Sequence, residues 1–203
     1  MTVNRKFPTL ALAVLVIGIF AVAAIAVFVI LSSEINPLTG YPGTTAISIG
    51  QAKQSADQYI AGSPDLRVAE IEEYAQNFYV SIQEKGTGIN AFELLVNKFS
   101  GAVTREPGPD MMWNTKYGMM GFGRAPTANM SVTADKAAEK AQRWLDTNIP
   151  GTKAETPDTY YGFYTIDISL NGSTYGMLSV NGYSGDVWYH TWHGQFITSV
   201  EYS

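Results

Sequence analysis

Val96-Asn97-Lys98-Phe99-Ser100-Gly101-Ala102-Val103 and Val180-Asn181-Gly182-Tyr183-Ser184-Gly185-Asp186-Val187 share the pattern V-N-x-[FY]-S-G-x-V and stand 84 residues apart. Two further blocks keep nearly the same spacing. Phe78-Tyr79 aligns with Phe163-Tyr164, and Ala52, Ala56, Tyr59 and Ile60 align with Ala137, Ala141, Trp144 and Leu145, each pair 85 residues apart. An offset held over three separate blocks implies two copies of one supersecondary unit.

Each copy opens with a helix, because apolar residues at i, i+4, i+7 and i+8 fall along one helical face. Thr133 and Asp135 offer N-cap chemistry to the second helix. Residues 79–82, 92–96, 164–168 and 177–180 then alternate with period two and are rich in β-branched and aromatic side chains, which suits half-buried antiparallel strands. The pairs Ser100-Gly101 and Ser184-Gly185 supply turns that accept positive φ. The expected fold class is therefore α+β, with each repeat a helix packed on an antiparallel sheet. Glu72-Glu73 falls on or beside a strand; neighbours there face opposite sides, so the pair is expected to serve solubility rather than acid–base chemistry.

A helix followed by a small antiparallel meander that closes on V-N-x-[FY]-S-G-x-V resembles the PepSY domain family. The resemblance covers residues 47–191 apart from the connector between the copies. It implies two PepSY-like repeats and a non-catalytic binding or peptidase-modulating role. PepSY domains occur in propeptides of thermolysin-type metallopeptidases and in exported or membrane proteins, and no catalytic residues come with the family.

Residues 10–31 read LALAVLVIGIFAVAAIAVFVIL, without a charged side chain. As a helix they span about 33 Å, enough to cross a lipid bilayer. A cleavable leader has a shorter apolar core, so an uncleaved transmembrane signal-anchor is expected. Arg5 and Lys6 assign residues 1–9 to the cytoplasmic side, and Glu34 is the first charge beyond the span. The expected organisation continues with a Pro- and Gly-rich tether at 32–46, repeat 1 at 47–105, a connector at 106–130, and repeat 2 with a C-terminal tail at 131–203. The chain has no cysteine, which excludes disulfides, thiolate metal sites and a lipoprotein anchor. Setting aside Arg5 and Lys6 from 13 basic residues leaves 11 against 18 acidic ones, a formal charge of −7 on the exported part. So acidic a surface does not suit nucleic acid. Asn129 and Asn171 head N-x-S sequons.

The connector places Met111, Met112, Trp113, Tyr117, Met119, Met120 and Phe122 among glycines and prolines. Packing across the seam between the repeats accounts for these side chains, since methionine adapts to irregular gaps. The sharper alternative is a soft metal such as copper, held by Met111, Met112, Met119 and Met120 with His190 and His193, in an extracytoplasmic copper-handling protein. His190 and His193 are the only histidines and sit within Trp188-Tyr189-His190-Thr191-Trp192-His193. Two imidazoles do not complete a closed metal site, and hydrogen-bonded membership of an aromatic cluster competes with ligation. Trp113, Tyr117, Trp188 and Trp192 are the candidate contacts for a partner, because clustered aromatics favour interfaces. G-x-S-x-G, Walker, H-E-x-x-H and cysteine-nucleophile patterns are absent, so no enzyme is expected. The reading that results is a membrane-anchored, extracytoplasmic module that engages another exported or membrane protein.

Overall fold

The computed structural model describes residues 45–119 and 130–202. Residues 1–9, the apolar run at 10–31, nearly all of the tether, Met120 and Asn129 lie outside the described residues. No helix among those described is long and apolar enough to cross a membrane.

Ser48 starts helix α1 (Ile49–Tyr59) through a capping box: its hydroxyl accepts from the Gln51 amide, and the Gln51 side chain accepts from the Ser48 amide. Strands β1 (Leu66–Tyr74), β2 (Asn77–Glu84), β3 (Asn90–Asn97) and β4 (Val103–Arg105) follow as an antiparallel meander. After the short helix α2 (Pro109–Met112) comes α3 (Ala134–Asn148), whose cap is Thr133 rather than Asp135. The second sheet holds β5 (Lys153–Ala154), β6 (Asp158–Thr159), β7 (Phe163–Leu170), β8 (Ser173–Asn181) and β9 (Val187–Tyr189). β5 and β6 pair with β7 in the position that β1 takes beside β2. Pro157 lies between them and has no N–H for a ladder, so that strand is split. A last strand, β10 (Phe196–Glu201), leaves the second sheet and pairs antiparallel with β1, which gives the first sheet the order β10-β1-β2-β3-β4.

The shared turn motif is built the same way twice. Asn97 Oδ1 accepts from the amides of Phe99 and Ser100, and Asn181 Oδ1 accepts from those of Tyr183 and Ser184. Gly101 and Gly185 then take φ values of 69° and 75°, a region that favours glycine. Each motif thus spends its Asn and Gly on closing a turn between paired strands.

The Phe-Tyr block requires a correction. Val96 faces Phe78 across the ladder, whereas Val180 faces Tyr164, so Phe78 and Tyr164 are structural equivalents and the sequence match slips by one residue. A slip of one reverses the face: Phe78 packs toward α1, while Phe163 stacks on Tyr160.

Ala52 and Ala56 of α1, with Ile60 at its C-cap, pack on Val68, Phe78, Val80, Ile82, Leu94 and Val96. Ala137, Ala141 and Leu145 of α3 pack on Tyr164, Ile166, Ile168, Leu178 and Val180. Alanine at the contact lets each helix lie close to its sheet, and full burial of each larger aliphatic side chain contributes about 1.5–3 kcal/mol. Tyr59 sits at the flank of the buried stripe and stays exposed. The opposite faces of the two sheets meet each other. Tyr79 and Ser81 reach the Tyr160 hydroxyl, both at 2.8 Å, and Thr165 donates to Glu93. Met177 packs with Tyr74 and Tyr79. The layers run helix, sheet, sheet, helix, with an apolar core under each helix and a largely polar seam between the sheets.

Gly162 marks where the connector crosses that seam. Its φ is 99°, and a Cβ there would lie 2.3 Å from the carbonyl oxygen of Trp113. Gly162→Ala is expected to cost about 1–3 kcal/mol from the backbone conformation alone. A denaturant midpoint equal to that of the parent protein would show the close approach to be absent.

Candidate functional site

β4 and β9 are the closing strands of the two repeats, and the residues that follow them are Glu106 and His190. These positions are 84 residues apart, as the turn motifs are. Their amides make equivalent bonds, from Glu106 to the Glu93 carbonyl at 3.0 Å and from His190 to the Met177 carbonyl at 3.1 Å. The repeat thus delivers two different side chains to one place in the seam. Glu106 Oε1 lies 3.3 Å from His190 Nδ1 and 2.9 Å from His193 Nε2, and accepts from the indole N–H of Trp192 at 2.8 Å. Glu106, His190 and His193 are all buried.

The far side of each imidazole is also held. His190 Nε2 is 2.9 Å from Ser179 Oγ, and the ring stacks on Trp192 with centroids 4.7 Å apart. His193 Nδ1 is 2.8 Å from Asn77 Oδ1, and its ring stacks on Tyr74. Asn77 Nδ2 donates to the Trp192 carbonyl, which fixes the amide so that its oxygen faces His193. The nitrogens turned toward Glu106 approach it at ion-pair distance but form no aligned hydrogen bond. Glu106 Oε2 has no hydrogen-bond partner either. Burial alone would raise the Glu106 carboxyl, but the facing imidazoles of His190 and His193 outweigh it and hold that group well below the ordinary carboxylate range.

Other buried charge surrounds this cluster. Glu93 accepts from Tyr79 at 3.0 Å, and burial with the nearby Glu106 and Asp110 pushes its carboxyl well up. Asp110 takes a two-pronged ion pair from Arg105 at 2.8 and 2.5 Å, yet burial still lifts it to about 7. Glu84 accepts from Lys116, Tyr117, Tyr161 and Thr87; these bonds outweigh its desolvation and bring it down to about 2.

Glu72 departs from the solubility role expected of it. It is 2% exposed and accepts from the Tyr74 hydroxyl at 2.8 Å, because the second sheet covers the face of β1 on which it lies. Glu73 pairs with the buried Lys98 at 2.6 Å.

Of the other candidate residues, Met111 is half-buried in α2, Met112 and Met119 are exposed, and Met120 lies outside the described residues. All four ring nitrogens of His190 and His193 have oxygen neighbours, not thioethers. Trp113 meets Trp188 edge to face at 5.9 Å, and Trp188 is partly exposed. Tyr117 packs on Phe92 and Tyr161. Trp192 serves Glu106. Sequence reading missed Glu106; its signal is the repeat itself, since carrying the offset of the turn motif past the closing strand superposes Glu106 on His190.

The connector bonds to both repeats. Asn114 donates to the Ala91 carbonyl at 2.7 Å, and the Thr115 amide to that of Tyr161 at 2.8 Å. On another side of the seam a cleft of about 800 Å³ opens, bordered by Tyr175, Gly176, His190, His193, Phe196 and Ile197.

No family model matches this chain, and no curated protein matches it. Among solved structures, the C-terminal domain of YpeB from Bacillus megaterium matches at 12% identity and a TM-score of 0.27, over 70% of this chain and 62% of that one. The match therefore spans less than two thirds of that domain. The architecture seen here is α+β with antiparallel sheets.

A second acidic group gives a pH signature. Burial, with Asp167, Asp158 and Glu201 facing it from β7, β6 and β10, raises Glu70 from 4.5 to about 7. Burial and Asp158 raise Asp167 from 3.8 to about 6, and burial and Asp167 raise Glu72 well above its usual value. Between about pH 4.5 and 7 the folded state then binds more protons than the unfolded chain, so these groups make stability fall as pH rises through that window. Glu84, lowered rather than raised, acts only at more acid pH. Glu70→Gln is expected to flatten the decline in the urea midpoint between pH 5 and 7, most visibly at low salt because Glu70 is only partly buried. Identical slopes for the variant and the parent would contradict this assignment.

Proposed function

We propose that this protein is a membrane-anchored, extracytoplasmic module of PepSY type that binds an extended segment of another exported or membrane protein and performs no catalysis itself. The observation that carries the reading is the cleft of about 800 Å³ beside two strand edges. Among the described residues, 173–176 of β8 pair with β7 alone, because β9 extends only along Leu178–Val180 and the His190 amide closes on Met177. Among the same residues β10 pairs with β1 alone. A chain entering between these edges gains main-chain hydrogen bonds, while alternate side chains meet the cleft walls. Tyr175 and Ile197, exposed by 41% and 53%, stand at its rim.

Two sequence features support the location: the uncharged run at 10–31, and Arg5 and Lys6 before it. The repeat motif supports the PepSY assignment, and that family brings no catalytic residues. Metal handling is the second reading, favoured by the convergence of Glu106 with His190 and His193. One carboxylate and two imidazoles suit a borderline divalent ion better than Cu(I).

A photocrosslinking amino acid placed at Tyr175 or Ile197 in the native host is expected to form discrete adducts with an exported or membrane protein. The same probe at Tyr59, exposed on the far side of the first sheet, is expected to give none of these. Equal labelling from all three positions, or adducts with cytoplasmic proteins only, would overturn the proposal.

A further inference from the structure

We propose that Glu106, His190 and His193 bind one divalent ion of the zinc type, leaving a fourth coordination position open toward the cleft. Asn77 Oδ1 can only accept, so His193 Nδ1 carries a proton and donates to it. In the neutral ring, Nε2 then presents a lone pair 2.9 Å from a carboxylate oxygen. Two lone pairs at that distance repel unless a cation lies between them.

On the other ring, Thr165 gives its proton to Glu93, and Ser179 Oγ lies 3.2 Å from Thr165 Oγ1. Ser179 therefore donates onward to Thr165 and accepts from His190 Nε2, which turns the lone pair of His190 Nδ1 toward Glu106 as well. His190 Nδ1 and His193 Nε2, both buried and both facing Glu106 Oε1, consequently lack hydrogen-bond partners among the described residues. Stranding either of them is unfavourable, and a single cation between the two nitrogens and Glu106 Oε1 satisfies both.

The dimensions fit. One donor atom from each of the three residues lies within 4.8 Å of the others. Zinc bonds of about 2.0–2.2 Å in a tetrahedral arrangement place ligand atoms roughly 3.4 Å apart, close to the 3.3 and 2.9 Å separations from Glu106 Oε1. Every ligand also has an outer partner that fixes its orientation: Asn77 for His193, Ser179 for His190, and the Trp192 indole for Glu106. His190 and His193 also line the cleft, so water or an oxygen donor of a guest on that side is the candidate fourth ligand.

The site also ties together segments far apart in sequence. Glu106 follows the first sheet's closing strand, and His190 and His193 lie on the crossover from the second sheet into β10. Metal occupancy should therefore stabilise the fold.

The full-length chain in detergent micelles, stripped with chelator, is titrated with Zn²⁺ and separately with Co²⁺, with no partner protein present. The expected results are one zinc per chain, tetrahedral cobalt absorption, a first shell of two imidazole nitrogens and one or more oxygens by X-ray absorption, and a melting temperature raised by roughly 5–10 °C at a hundredfold excess over Kd. Trp192→Phe keeps all three ligands but frees Glu106, and is expected to weaken zinc roughly 10-fold or more; His193→Ala is expected to abolish tight binding. No stoichiometric zinc in the parent protein would overturn the proposal and leave a proton as the cation between imidazole and carboxylate. Sulfur in the first shell, or tight binding kept by His193→Ala, would also overturn it by moving the metal elsewhere. Because the titration needs no partner, it stands or falls separately from peptide binding at the cleft.

Discussion

Glu106 is a carboxylate removed from water at the line where two β-sheets meet, and its environment sets how they can meet. A lone charge at that depth would be expelled or neutralised. It is retained because one segment, His190 to His193, brings two imidazoles and an indole N–H to it. That segment is also the crossover that carries the chain from the second sheet into β10 at the edge of the first. Compensating the charge and completing the first sheet are therefore one structural event.

The seam extends this logic across the molecule. From Tyr160 the contacts pass to Tyr79, Glu93, Thr165, Ser179 and His190, and end at Glu106. An apolar seam would tolerate sliding of one sheet over the other, since hydrophobic contact has no direction. A chain of hydroxyls and carboxylates does not, because each group left unpaired in a buried site is costly. Each sheet carries its own apolar core beneath its own helix, so beyond the contact of Met177 with Tyr74 and Tyr79 a repeat has little apolar reason to prefer one placement of its neighbour. The polar contacts supply that preference and hold the cleft walls where a guest strand would need them.

The elements governed by local rules were legible in the sequence. Spacing of Ala52, Ala56 and Ile60 marked a helix face, and the Asn-x-x-Ser-Gly motif marked both turns through contacts within five residues. Antiparallel strands followed from period two. Long-range consequences were not legible in the same way. Glu72 read as a solubilising residue because nothing nearby tells that a second sheet will cover it. Strand β10 lies beyond Val187, where similarity between the repeats stops, so no repeat argument pointed to its pairing with β1. His190 and His193 stood out by rarity, but their partner is an ordinary glutamate 84 residues before His190. Methionine density in the connector drew attention to thioethers, while the imidazoles face oxygen atoms.

A double-mutant cycle across the seam weighs the polar contacts themselves. Tyr79→Phe and Tyr160→Phe each remove one hydroxyl of a 2.8 Å pair joining the first sheet to the turn between β6 and β7 of the second, and leave ring packing nearly unchanged. Equilibrium unfolding of the parent, both single variants and the double variant should give a coupling energy of about 0.5–3 kcal/mol. Strict additivity, with the double variant losing the simple sum of the two singles, would mean that the sheets are held together by something other than this buried network.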